Sequence, residues 1–133
     1  MTNTKTTERV MLSAAFTLAA SNSVVFALMG NLQDEFGFAD WGLGIIAAAG
    51  FLTSFVMQVL VAPFADRGHT RRLLIAGTVL AVIGNTVFAT GSSLIQFVLG
   101  RSFAGAASGT FMPPAYATVA SLDAEGKSER LGA

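Results

Sequence analysis

Two groups of residues in this sequence could do chemistry. The first is Arg101, a lone cation inside the apolar run Leu94-Ile95-Gln96-Phe97-Val98-Leu99-Gly100-Arg101-Ser102-Phe103. A guanidinium offers several donors in a planar fork, so in apolar surroundings it needs an anion or a set of strong neutral acceptors. The second is Ala62-Pro63-Phe64-Ala65-Asp66-Arg67-Gly68-His69-Thr70-Arg71-Arg72, in which one carboxylate and three guanidiniums crowd a short turn. Asp66 can pair there with Arg67, Arg71 or Arg72, or face the positive end of a neighbouring helix. The bland reading of the same turn is a solvated loop. Neutral polar groups complete the inventory. Ser13, Thr17 and Ser21 recur at every fourth residue and so share one helical face, with Asn22 beside it, and that face is expected to line a cavity or to pack. Gln58 and Asn85 are weaker candidates, because a lone amide between helices more often ties them together than binds a ligand.

Other chemistries are excluded by composition. With no cysteine and a single histidine, the chain has no disulfide, no thiolate nucleophile and no histidine metal cluster. Nothing implies a cofactor. No stretch pairs an acid with a base or activates a nucleophile, so an enzyme is the least supported reading. The net charge is zero without a long basic run, which speaks against nucleic acid as a partner.

These residues must be held by elements that suit lipid. The sequence is 53% hydrophobic and only 12% charged, too little polar surface to cover a water-soluble domain of 133 residues. A helix crossing a hydrocarbon layer of about 30 Å needs roughly 20 mainly apolar residues. Four stretches qualify, at about 10–32, 41–64, 73–90 and 94–120, with a tail at 121–133. The third is the shortest, and Gly91-Ser92-Ser93 alone separates it from the fourth, which predicts an antiparallel hairpin of helices. The stretches are apolar all round, unlike the one-sided helices of a soluble bundle. The first runs to Leu32, longer than the core of a signal peptide, although Ala19-Ala20-Ser21 has the small residues of a cleavage site.

Charge sets the orientation. Lys5 and Arg9 precede the first span, Arg67, Arg71 and Arg72 join the second to the third, and Lys127 and Arg130 follow the fourth. All lie on one side, while the opposite connections carry Asp34, Glu35 and Asp40 without a basic residue. The basic side is therefore expected to be cytoplasmic, with both termini on it.

Within the fourth span Arg101 sits about two turns from the outer end, where an arginine costs several kcal/mol unless it faces protein or water or snorkels to the headgroups. Gly105 and Gly109 form a Gly-x-x-x-Gly pair for close helix packing, with Gly100, Ala104 and Ser108 as a neighbouring ridge. Pro113-Pro114 should kink or partly unwind the cytoplasmic half of this span. No acidic residue lies inside a span, so a coupling carboxylate would have to come from elsewhere, or Asp34 or Asp66 would serve from the membrane edge.

The turn at 62–72 resembles the loop signature of the major facilitator superfamily: a Gly, three residues, Asp, a basic residue, any residue, Gly, any residue, then two basic residues. Asp66, Arg67, Arg71 and Arg72 match it. Ala62 and His69 stand where the signature has glycines, and Gly68 comes one position early, which displaces the glycine available for a left-handed turn. Arg101 followed by Gly105 and small residues resembles the family's fourth-span pattern, with Ala104 in place of a frequent Gln. Leu32 to Phe38 resembles the first outer connection, and Asp123 to Ala133 the lead-in to a fifth span.

The resemblance implies an all-α, polytopic fold, in which this chain is part of the N-terminal six-helix half of a transporter. It implies alternating-access transport of a small solute, coupled to protons, in the cell (inner or plasma) membrane. Arg101, Asn22, Ser21 and Thr17 would then lie along the solute path or couple protons, and Asp66, Arg67, Arg71 and Arg72 would brace a cytoplasmic gate. The implied partners are a small-molecule substrate, the bilayer and a missing C-terminal part, without which the segment should be inactive. The competing expectation is a small four-span subunit that assembles through its glycine-rich fourth span. A small dimeric multidrug exporter is a poorer match, since those need a glutamate within the first span.

Overall fold

In the computed structural model, which describes residues 4–131 and the side chains of residues 5–121, the chain is all-α. Its helices are α1 (Thr4–Phe36), α2 (Asp40–Asp66), α3 (Thr70–Ala89) and α4 (Leu94–Leu131). Successive helices reverse direction through short links, so Arg9 and the 67–69 turn lie at one end of the bundle. The connections at 37–39 and 90–93 lie at the other. The helices outrun the apolar stretches. α1 takes in Lys5, Glu8 and Arg9 because no Gly or Pro interrupts the polar leader, and α4 stays helical across most of the expected tail. The side chains of Lys127 and Arg130, which belong to the expected charge bias, fall outside the described residues.

By length and composition, α1, α2 and α3 can each cross a membrane. Their outward faces carry Phe16, Phe51, Phe55, Leu52 and Val82, all well exposed. Such surfaces favour lipid over water. The fourth expected span differs in kind. α4 is diluted by Arg101 and by many Gly, Ser and Thr residues, and the reason lies in packing. It is the innermost helix, pressed along its length against α2 and α3 and more lightly against α1. Arg101, Ala104, Ala107, Thr110, Phe111, Pro114 and Ala115 are all buried on it. A helix covered by other helices has little need of apolar bulk and more need of small residues.

Three faces of α4 meet three helices. Gly105 and Gly109 lie against α2: a Cβ at Gly105 would overlap the Gly50 carbonyl and the Thr53 hydroxyl, and one at Gly109 would strike Ser54 and Met57. Gly100 and Ala104 face Phe88 and Gly84 of α3, and Ala107 and Phe111 meet Gly77. Ser108 turns to α1. At the end of the bundle opposite Arg9, Phe97 is buried edge-on to Phe36, Phe38 and Phe88, with ring centroids 5.2, 5.8 and 5.1 Å away. Edge-to-face pairs of this kind add about 0.5–1.5 kcal/mol each beyond area burial. Val25, Leu32 and Ile46 join Phe97 in one core cluster, which makes α1 a packed member of the bundle.

The partial unwinding expected at Pro113-Pro114 is absent, and α4 is helical through both. Proline's fixed φ suits a helix, so the cost is confined to the carbonyls one turn back. The fully buried Pro114 sits among packed residues that hold the backbone in place.

Candidate functional site

Among the described residues the bundle encloses one charge, about two turns in from the outer end of α4. Arg101 is only 3% exposed, and Nη1 donates to the Asn22 side-chain oxygen on α1. The Asn22 amide nitrogen donates to Ser108 Oγ at 2.7 Å and to the Leu18 carbonyl at 3.0 Å. Ser108 Oγ then donates to the Ala104 carbonyl at 3.3 Å. These bonds form a directed chain in which each group accepts from one neighbour and donates to the next, so the amide's orientation is fixed at both ends. Arg101 and Ser108 are seven residues apart, two turns along one face of α4, and Asn22 reaches between them from α1.

Two further contacts shape the guanidinium's surroundings. Gly50 of α2 leaves room for it, since a Cβ there would stand 2.7 Å from Nε. The Phe26 ring covers Cζ at 5.5 Å from its centroid, and Phe26 stacks on Phe51 at 5.8 Å. Nε is buried without a hydrogen-bond partner. The side chain therefore points into protein and does not run out to the headgroups. Its contacts among the described residues are all neutral. A buried cation without an anion is costly, and residues that bear this cost within membranes serve solute or ion pathways by default.

The residues expected along the solute path fall in two places. Asn22 joins Arg101, but Ser21 and Thr17 turn away toward a groove between α1 and α3. Consecutive helical residues point about 100° apart, so Ser21 and Asn22 cannot both face α4 in one way. The groove holds one cavity of about 560 Å³ and another of about 490 Å³; Ser21 and Asn85 line both, and Thr17 the second. The hydroxyls of Ser13, Thr17 and Ser21 each donate to the carbonyl four residues before, which leaves them acceptors only. Gln58, exposed, bonds Ser54 on its own helix at 3.3 Å. Among the described residues neither Gln58 nor Asn85, which is exposed to the groove, makes a hydrogen bond between helices.

The turn between α2 and α3 is the second candidate. Gly68 has a φ of 83°, with its N–H donating to Ala65 O at 3.1 Å and that of His69 to Phe64 O at 3.3 Å. This pairing closes a helix around a left-handed residue, and glycine takes that conformation without strain. The glycine displaced by one position thus still makes the turn. Arg67, Gly68, His69, Arg71 and Arg72 line a shallow cavity of about 350 Å³. Arg67 lies over the Phe64 ring, 5.9 Å from its centroid. Among the described residues Asp66 forms no ion pair with these arginines. α3 also starts without a side-chain cap or an acid in its first turn, so the turn sets Arg67, Arg71 and Arg72 against the single carboxylate of Asp66.

Sequence reasoning missed Phe26, Gly50 and the role of Ser108. Phe26 follows Asn22 by one helical turn, a spacing that could have suggested a shared face.

The pattern that defines the Major Facilitator Superfamily matches residues 11–128. The chain is 28% identical over 104 residues to "Uncharacterized MFS-type transporter YwfA" of Bacillus subtilis (strain 168), covering 78% of this chain and 25% of that protein. It is 31% identical over 121 residues to "Uncharacterized transporter YgaY" of Escherichia coli O157:H7, covering 89% of this chain and 31% of that protein. The chain thus spans between a quarter and a third of the length of these relatives. No solved structure matches it.

Proposed function

Because the chain belongs to the Major Facilitator Superfamily and is a multi-pass membrane protein, we propose that it is part of the N-terminal half of an alternating-access transporter that moves a small solute, coupled to protons. Arg101 carries this reading. It is buried about two turns from the outer end of its span, with neutral partners and with Nε unpaired, which makes it a standing electrostatic attraction for an anion. A solute carboxylate or phosphate, or a carboxylate from a further span that gives up its charge on protonation, would satisfy it. Either event removes a cost paid in the empty state, and so couples binding to conformation. Asn22 and Ser108 hold the guanidinium in position. Thr17 and Ser21 belong to the α1–α3 groove, where they would contribute acceptors to the solute path.

The 66–72 turn belongs to a gate at the cytoplasmic end in this proposal. Its surplus positive charge would meet acidic or carbonyl groups of the rest of the transporter when that end closes. The N-terminus is cytoplasmic in the same reading, in the cell membrane, and the segment alone does not transport because the surface that completes the path is supplied elsewhere.

The test uses the complete polypeptide in proteoliposomes containing a pH-sensitive dye, with a panel of anionic and neutral solutes added outside. A subset of anionic solutes should drive proton movement that disappears when a protonophore collapses the gradient. Solute uptake indifferent to an imposed pH gradient would reject the coupling. The absence of uptake for every anion, alongside uptake of neutral solutes, would reject the role given to Arg101.

A further inference from the structure

Asn22 and Phe26 stand one turn apart on α1, and both turn to Arg101. Asn22 takes one edge of the guanidinium, and Phe26 offers its ring to the charge, with Cζ over the ring 5.5 Å from the centroid. α2 closes another side at Gly50. What remains between the guanidinium and the open surface of α1 and α2 is an aromatic pair, Phe26 stacked on Phe51 at an interplanar angle of 30°. The exposures form a gradient: Phe51 62%, Phe26 44%, Arg101 3%. The charge is therefore screened by a single layer of ring.

We propose that Phe26 is an aromatic lid over Arg101, braced shut by Phe51, and that an oxyanion, a carboxylate or phosphate group of the solute, reaches the guanidinium only when the ring swings aside. The proposal rests on the reading of Arg101 as the anion-attracting residue. The ring suits the task because its face attracts a cation more weakly than a desolvated oxyanion does, so a ligand can replace it. In the shut state the ring keeps water and lipid from a charge that still has Nε unpaired. α1 alone supplies both the holder and the cover, so one rotation of α1 would move the two together.

The experiment is arginine modification by phenylglyoxal on the complete polypeptide in lipid nanodiscs, with adduct formation at each arginine followed by peptide mass spectrometry. In the unaltered protein Arg101 should react far more slowly than Arg67, Arg71 and Arg72 of the exposed turn. Phe26→Ala should raise the Arg101 rate about fivefold, the factor expected for loss of one partly exposed cation–π contact. Phe51→Ala should raise it less, and Phe55→Ala, which removes another exposed ring of α2, should leave it unchanged. Phe26→Leu keeps the apolar volume and the span intact while removing the ring, and should give an intermediate rise. The turn arginines report on folding, since their rates should be the same in every variant. Rapid modification of Arg101 without any substitution overturns the lid. So does a Phe26→Leu rate equal to the unaltered one, or an effect of Phe55→Ala as large as that of Phe26→Ala. Labelling measures access and not transport, so the lid can fail while Arg101 remains essential for uptake, and the reverse can also occur.

Discussion

Arg101 and the arginines of the 67–72 turn are the same side chain in opposite circumstances. Arg101 is enclosed by three helices, bonded through Asn22 to Ser108 and covered by Phe26. Arg67, Arg71 and Arg72 are exposed around a cavity of their own making, close to one another. Water and salt screen charges of the second kind strongly and charges of the first kind weakly. A buried charge therefore answers to each neighbour separately, whereas exposed charges act as a sum. The comparison teaches that motif strength in sequence and sensitivity to substitution need not coincide here. The turn carries the stronger signature, but the lone arginine has more to lose from a single change.

The sharpest way to break the comparison is Arg101→Ala in the complete transporter. Uptake of the solute should fall by about 100-fold or more, in line with the loss of a desolvated ionic contact, while the amount of protein in the membrane stays near normal. Arg101→Lys should recover little, because an ammonium lacks the planar fork that donates to Asn22 while the Phe26 ring faces the same charge. Normal uptake by the alanine variant would remove Arg101 from the solute path and leave it as a packing residue.

A smaller effect should come from Asn22→Ala, which keeps the charge and cuts the chain between Arg101 and Ser108. One buried donor of the guanidinium loses its partner, a change of roughly 1–3 kcal/mol, or about tenfold in apparent affinity. The loss should appear in KM more than in transport rate at saturation, since the charge itself remains. Asn22→Asp sharpens the point, because a permanent carboxylate next to Arg101 would satisfy the cation internally. That variant should bind anionic solutes more weakly than Asn22→Ala does. Tighter binding would show that Asn22 does not hold Arg101 ready for an anion.

Much of the scaffold was legible from residue order. Apolar stretches long enough for lipid, bounded by Asp34 and Glu35, by the 66–72 charges and by Gly91-Ser92-Ser93, mark the helices because the length demanded by a bilayer is a local property. The small residues of α4 were equally visible. Their division among α2, α3 and α1 was not, because it depends on how far each neighbour rotates about its axis. The site was legible only in part for the same reason. Arg101 stood out as a charge in an apolar run, but its partners are 79 residues away at Asn22 and, through that amide, 86 residues from Asn22 at Ser108. Phe26 offers only its one-turn spacing from Asn22 as a local signal, and nothing local distinguishes Gly50 from the other glycines. Ser21 and Asn22 face different neighbours, since adjacent residues diverge in direction on a helix, and sequence order alone does not say which neighbour each one meets.

The least effect is expected where the signature is strongest. Arg71→Ala removes one of the two exposed arginines in the first turn of a helix that has no acid there, so it also relieves some repulsion from the positive helix end. Exposed charges of this kind change stability by about half a kcal/mol or less. Uptake should stay within about twofold, and raising the salt concentration should shrink even that difference, as screening predicts. Replacing Arg67, Arg71 and Arg72 together by alanine should exceed three times the single effect, because the gate depends on their summed field. If Arg71→Ala alone abolished uptake at high and low salt alike, Arg71 would be making a specific buried contact in the assembled transporter. The contrast between the two arginine environments would then hold only for the helices described and not for the closed gate.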